Sequence, residues 1–267
     1  MSRSLSDPWF GLWRRAPRPE ARLIAIPYAG AGTAVYRQWL DDLKHEEWLD
    51  FAVVQLPGRE KRVLEPPVSD FGVLLDGLEQ AVLELAAVPL LLFGYSMGAS
   101  LAYEVSLRLA QRGLTLRHLM VAARVPPYCV TPRATRIVLD RQQIVRKILQ
   151  LGGTAPDLIE SDLFDSHILP TLQADFAAVD NHHRAVPQIL PCPVLALGSS
   201  DDSDVSVNQM RAWNVAAGGG FELRLLEGEH FFLHTAHERV IAIVNEVLDR
   251  YVPQTAGIGA ATAGGPG

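Results

Sequence analysis

Cysteine is scarce in this chain. Cys129 and Cys192 are the only two in 267 residues. Two thiols build neither a disulfide framework nor a cysteine zinc cluster, and they fit a reducing, cytoplasmic compartment. Basic charge is also short. Lys and Arg number 24 against 30 Asp and Glu, a formal net charge of −6. A general nucleic-acid binder carries the opposite balance, so nucleic acid is not an expected partner. A membrane-length apolar run is missing too. Leu85 to Tyr103 has no charged residue, but Pro89, Gly94, Ser96, Gly98 and Ser100 interrupt it. It reads as buried strand, tight turn and buried helix, not as a membrane span. Met1 to Pro19 has no continuous apolar core ahead of its charges and does not read as a secretory signal.

What is present is enough apolar residue for a sizeable core: 48% hydrophobic against 20% charged. Six short runs rich in Val, Leu, Ile and Ala read as strands buried on both faces. They are Arg22–Ile26, Phe51–Leu56, Pro89–Phe93, His118–Ala123, Pro193–Leu197 and Phe221–Leu226. Helical spacing lies between and after them, at Phe71–Ala87, Met97–Arg112 and His237–Tyr251. Alternating strands and helices predict an α/β fold with a mostly parallel sheet. From about Thr131 to Arg184 there is helical patterning and no strand, with Ile137–Leu151 as one helix and Leu158–Val179 as one or two more. That is too long for a connection and predicts a helical insertion between the fourth and fifth strands. The expected organisation is an N-terminal extension over 1–20, a domain over 21–252 with an insertion at about 131–184, and a disordered tail over 253–267.

Gly94-Tyr95-Ser96-Met97-Gly98 matches G-x-S-x-G, between an apolar strand and a helix. A sharp strand-to-helix turn lifts the serine above the sheet edge, and the glycines let neighbouring backbone approach. A serine hydroxyl is weakly nucleophilic and needs a base. In this arrangement the chain order is Ser, acid, His. Among eight histidines, His230 directly follows the last strand, where the base belongs; His234 and His237 are the nearest competitors. The acid should follow the fifth strand, where Asp201, Asp202 and Asp204 crowd together. Spacing alone leaves Asp201 and Asp202 both open, with Asp204 less favoured. An oxyanion needs two N–H donors. The amide of Met97 is one, and the loop Tyr28–Gly32 supplies the other, assigned to Ala29. That loop has neither G-x-G-x-x-G nor a P-loop lysine, so it is not a phosphate site.

Together these residues resemble the type II thioesterases that accompany modular polyketide synthases and nonribosomal peptide synthetases. The resemblance spans about Ala21 to Tyr251. It rests on Ile26-Pro27-Tyr28-Ala29-Gly30, Gln55-Leu56-Pro57-Gly58-Arg59-Glu60, the Ser96 elbow, Leu151-Gly152-Gly153-Thr154, Ala174-Asp175-Phe176, Pro191-Cys192-Pro193-Val194, Arg211-Ala212-Trp213 and His230-Phe231-Phe232-Leu233. The Pro-Gly-Arg and His-Phe-Phe-Leu segments separate this family from generic esterases. The family's acid usually precedes a proline, three residues before a Val and eleven before the tryptophan. Counting from Val205 and Trp213 selects Asp202, with Ser203 in place of the proline; counting from Gly198 favours Asp201.

The resemblance implies an α/β-hydrolase fold and hydrolysis of acyl groups from the phosphopantetheine arm of acyl or peptidyl carrier proteins. It further implies an editing role, no metal or redox cofactor, and a helical lid over the acyl chamber. Two departures stand out: Tyr28 where the family commonly has His, and Glu229 where it has Gly. Tyr28 is expected to reshape the acyl pocket. Glu229 is expected to favour the imidazolium of His230. Because such carriers are acidic, docking calls for a local patch. Arg59, Lys61 and Arg62 form one candidate, and Arg133, Arg136 and Arg141 another, against a reading of both as scattered solvated charge. Competing functions are a carboxylesterase or chain-releasing thioesterase on the same triad, and a silent carrier-binding protein.

Overall fold

A computed structural model describes residues 8–132, 134–152 and 156–252. The expected tail, Gly153-Thr154 and Arg133 lie outside them. The elements in chain order begin with β1 (Phe10–Arg14), β2 (Ala21–Ile26), α1 (Trp39–Asp42), β3 (Leu49–Val54), α2 (Phe71–Glu84) and β4 (Leu90–Tyr95). Next come α3 (Met97–Gln111), β5 (His118–Ala122), α4 (Arg141–Leu151), α5 (Pro156–Ile159) and α6 (Leu169–Asp180). The chain then runs through β6 (Val194–Ser199), α7 (Val207–Arg211), β7 (Phe221–Leu226), α8 (Phe232–Thr235) and α9 (His237–Asp249). The seven strands form one sheet in the order β1-β3-β2-β4-β5-β6-β7, parallel except for β1.

Burial on both faces follows from side-chain alternation. In β2, Ile24 and Ile26 join one core with Leu78 and Val82 of α2 and Leu101 and Val105 of α3. Leu23 and Ala25 join the other, with Trp39 of α1 and Val240 and Val244 of α9. The charged Arg22 survives in a buried strand because its guanidinium meets Asp50 at 2.6 Å and also donates to the Leu85 carbonyl. Asp50 in turn accepts from the Ala16 amide at 2.8 Å. No helix among the described residues is long and apolar enough to cross a membrane. The charge-free stretch from Leu85 becomes β4, a turn and the start of α3.

All six expected strands form, each within a few residues of its reading. β1 is an additional strand inside the expected N-terminal extension. It pairs antiparallel with β3, with Phe10 opposite Val54 and Arg14 opposite Phe51, and covers the sheet's edge. It is short and half-buried, and its Trp13-Arg14-Arg15 end carries no apolar run. Between β5 and β6 the helical insertion forms as expected, but with different breaks. α4 starts at Arg141, not Ile137, because Asp140 caps it: its carboxylate accepts from the Gln143 amide at 2.8 Å and the Gln143 side chain returns the bond. The Leu158–Val179 segment breaks at Glu160-Ser161, after α5, and the helix that follows is π-wound over Phe164–Ile168 and runs without interruption into α6. Ile144, Ile148, Phe164, Leu172 and Phe176 give the insertion its own small core, which packs on Ala29 and Phe231. That contact places it over the ends of β2 and β7.

Candidate active site

Ser96 sits between β4 and α3 with φ 51° and ψ −116°, a backbone conformation an L-residue adopts only under constraint. The constraint is visible. The Ser96 amide donates to the Ala122 carbonyl at 2.8 Å, and the Ala99 amide returns to the Ser96 carbonyl at 2.9 Å. A Cβ on Gly94 would collide with the backbone of Gly98 and Ala99, and one on Gly98 with the carbonyls of Ile26 and Pro27. Both glycines of the motif are therefore demanded by close approach of backbone.

His230 lies on the loop after β7. Its Nε2 is 3.3 Å from the Ser96 hydroxyl and its Nδ1 is 3.0 Å from the Asp202 carboxylate. The His230 and Asp202 side chains are 2% and 1% exposed, so water does not screen the pair. The other Asp202 oxygen accepts from the amides of Asp204 and Val205 at 2.9 and 3.1 Å, which locks the carboxylate. With Nδ1–H facing the carboxylate, the Nε2 lone pair faces the serine. Asp201 is exposed and turned away; its carboxylate accepts from the Ser200 hydroxyl at 3.3 Å. Asp204 is exposed. His234 Nε2 engages the Tyr28 hydroxyl at 2.9 Å and His237 Nε2 engages Asp42 at 2.7 Å. The structure thus brings Ser96, His230 and Asp202 together; His234 lines the same cavity but is engaged by Tyr28, and His237, Asp201 and Asp204 make no contact with Ser96 or His230 among the described residues.

The His230 loop is held by a residue the sequence reading passed over. The Tyr95 hydroxyl, fully buried, donates to the His230 carbonyl at 2.5 Å and accepts from the Leu233 amide at 3.3 Å. Burial pushes its pKa well up, so it stays a neutral donor. The only sequence signal was its place inside the elbow motif.

Ser96, His230, Ala29 and Gly30 line a cavity of about 560 Å³. The insertion contributes Ile148, Leu151, Leu172 and Phe176 to its wall. The Met97 amide opens α3, so it has no acceptor within the helix and is available beside Ser96. Tyr28 lines the same cavity, packs on Phe231 and is pushed up to about 12 by burial. Glu229 is exposed with its carboxylate against Gly152, while both His230 ring nitrogens engage Asp202 and Ser96.

The loop bearing Ala29 is tied down on both sides. The Asp175 carboxylate of α6 accepts from the Gly30 amide at 2.7 Å and from Arg59 at 2.7 and 2.8 Å. Arg59 also donates to the Ala31 carbonyl at 3.1 Å. Glu60 accepts from the Thr33 hydroxyl and the Ala34 amide at 2.7 and 3.1 Å. The first candidate docking patch is corrected by this geometry. Arg59 and Arg62 are buried, and Arg62 binds Glu65 at 2.6 and 2.8 Å while stacking on Trp9. Lys61 alone of the three is exposed, donating to the Gly11 carbonyl at 3.3 Å. In the second patch Arg136 donates to the Ser69 carbonyl and Arg141 pairs with Asp165, both at 2.6 Å.

The mostly parallel sheet with helices on both faces, a strained serine at a strand-to-helix turn and a helical insertion over it define an α/β-hydrolase. The thioesterase domain family matches residues 21–248. The chain belongs to that family. A Brevibacillus parabrevis protein named linear gramicidin dehydrogenase LgrE is 31% identical over 255 residues, covering 92% of this chain and 96% of its own. Among solved structures, the type II thioesterase BorB from the borrelidin biosynthetic cluster superposes with a TM-score of 0.81 at 31% identity, covering 92% of this chain and 99% of BorB. YbtT, the type II thioesterase of the yersiniabactin NRPS/PKS pathway, superposes at 0.78 with 25% identity, over 90% and 97% of the two chains.

Proposed function

We propose that this protein is a serine thioesterase that removes aberrant or stalled acyl groups from the phosphopantetheine arm of acyl or peptidyl carrier proteins. The observation that carries the reading is the Ser96–His230–Asp202 line, its base and acid buried, opening into an apolar cavity under the insertion. The carrier-bound substrate is taken from the kinship with BorB and YbtT, which are named for biosynthetic assembly lines. LgrE carries a dehydrogenase name. The loop after β2 here lacks dinucleotide-binding spacing, and the serine geometry favours hydrolysis.

In the reaction the Ser96 oxygen attacks the thioester carbonyl while His230 Nε2 takes the hydroxyl proton. Asp202 holds the imidazole in the tautomer that leaves Nε2 free and stabilises the cation that forms. The carbonyl oxygen becomes an oxyanion held by the Met97 and Ala29 amides. The C–S bond breaks and the pantetheine thiol leaves with the proton from His230. Water, deprotonated by His230, then attacks the acyl-serine. The C–O bond to Ser96 breaks, the proton returns to its oxygen, and the free acid departs. No step calls on a metal or redox cofactor. The insertion acts as a lid whose apolar side chains receive the acyl chain, and the enzyme works in the cytoplasm with its carriers.

Purified enzyme with acyl-loaded carrier protein tests the reading. Hydrolysis is expected to exceed that of a simple p-nitrophenyl ester in kcat/KM. Preference for the simple ester would point to a carboxylesterase, and product cyclisation to a chain-releasing enzyme.

A further inference from the structure

Two segments distant in sequence meet at the loop expected to hold the oxyanion. Arg59 follows β3 and Asp175 lies in α6 of the insertion, 116 residues later. They form a two-pronged ion pair, with side chains only 7% and 1% exposed. A buried pair of this kind is weak evidence for a stabilising role, since desolvation cancels much of the attraction. This pair does something more specific. Asp175 Oδ2, besides meeting Arg59 Nη1, accepts from the Gly30 amide, and the same Arg59 nitrogen donates to the Ala31 carbonyl. Gly30 is in the left-handed region at φ 78°, and Leu172, one turn before Asp175 on α6, fills the space a Cβ there would need. The Thr171 hydroxyl reaches the Gly58 carbonyl at 3.2 Å. Asp175 of α6 thus holds the Ala29–Gly30 peptide through its N–H, and Arg59, ion-paired to it, holds the Ala31–Gly32 peptide through its carbonyl. The peptide carrying the Ala29 carbonyl is fixed by its own N–H, which belongs to Gly30, and that constrains Ala29, the residue expected to supply the second oxyanion donor.

We propose that Arg59 and Asp175 are positioning residues that aim the Ala29 amide, so that the oxyanion site is complete only while α6 is seated. The proposal rests on the thioesterase reading above. It makes the insertion more than a cover: the helix that walls the acyl cavity through Leu172 and Phe176 also sets the transition-state donor. An insertion displaced from the loop would leave Ser96, His230 and Asp202 in place but the oxyanion half-held.

Three proteins test this: Asp175→Asn, the double variant Arg59→Met with Asp175→Leu, and Ser96→Ala. Asparagine offers one oxygen where three donors need two. The double variant removes both charges, so folding is expected to recover while the Gly30 amide still has no acceptor. Thioester kinetics are read beside affinity for two probes. One is an alkyl trifluoromethyl ketone, which captures Ser96 as an oxyanion adduct. The other is a non-hydrolysable acyl thioether, which mimics bound substrate. Both Asp175 variants are expected to lose about 10²-fold in kcat with KM within about threefold. Ketone affinity should fall by a like factor and thioether affinity should hold. The double variant should regain the melting temperature but not kcat. The proposal is overturned if the double variant regains both, which marks a purely structural pair, or if ketone and thioether affinities fall together. Ser96→Ala separates the two levels. If it hydrolyses thioester at the wild-type rate, the thioesterase mechanism fails and the clamp with it. If it is inactive while a folded Asp175 variant keeps wild-type kcat, only the clamp fails.

Discussion

Two adjacent aspartates show how much one residue's direction decides. Asp202 is buried, accepts two backbone amides and faces His230, whereas Asp201 is exposed and faces Ser200. Asp202→Asn is expected to cut kcat by about 10⁴ through the wrong imidazole tautomer, and Asp201→Asn to stay within about twofold. Thioester hydrolysis by the two variants side by side decides it, and a large loss at Asp201 alone contradicts the geometry. Tyr95→Phe deletes the hydroxyl that joins the His230 carbonyl to the Leu233 amide. It leaves a buried amide and carbonyl unmatched, at about 1–3 kcal/mol of stability, measurable by denaturant unfolding; an unchanged midpoint denies the link. At this scale Ser96 and His230 were readable because strand ends and turn chemistry fix their places. The acid was not readable from spacing alone, because a one-residue shift exchanges a dry site for solvent. Arg59 was misread as a surface charge because its partner, Asp175, comes close only in three dimensions.

Among the elements, β2 to β6 were readable because double-sided burial writes them as continuous apolar runs. β1 was not, since an edge strand with one covered face needs few apolar residues. Its function is visible in what it covers. Removing residues 1–14 would open the β3 edge and strip Trp9 from Arg62. We expect a melting temperature lower by about 10 °C and faster aggregation on heating, followed by calorimetry and light scattering. An unchanged melting temperature would show the strand to be dispensable. The insertion was readable as helical, but its breaks were not. Asp140 intercepts α4 through a capping box, and the break at Glu160-Ser161 makes two helices where spacing allowed one or two. Local hydrogen-bond competition of this kind leaves little trace in apolar periodicity.

For the whole molecule, the acidic balance sharpens two expectations. His118 opens β5 in the core, and burial, aided by Arg250, pushes its pKa down to about 4. Its Nδ1 meets the Tyr251 hydroxyl at 3.1 Å and its Nε2 has no partner among the described residues. The unfolded chain therefore binds the proton more readily than the folded one. Stability from this site is full above about pH 6.5 and is lost as pH falls toward 4, on the order of 3 kcal/mol at most. Melting curves over that range should show His118→Phe losing less stability than wild type; parallel curves would remove His118 as the cause. The second expectation concerns carriers. With Arg59 and Arg62 buried, Lys61 alone of the first predicted patch faces solvent, so that patch offers an acidic carrier one charge and not a cluster. Intact-protein mass spectrometry of an acyl-loaded carrier mixed with enzyme reads directly whether Ser96 removes the acyl group. Wild type should return the carrier to its free-thiol mass, while Ser96→Ala leaves the acyl group in place at the uncatalysed rate. Deacylation by Ser96→Ala at the wild-type rate would show that Ser96 is not the nucleophile.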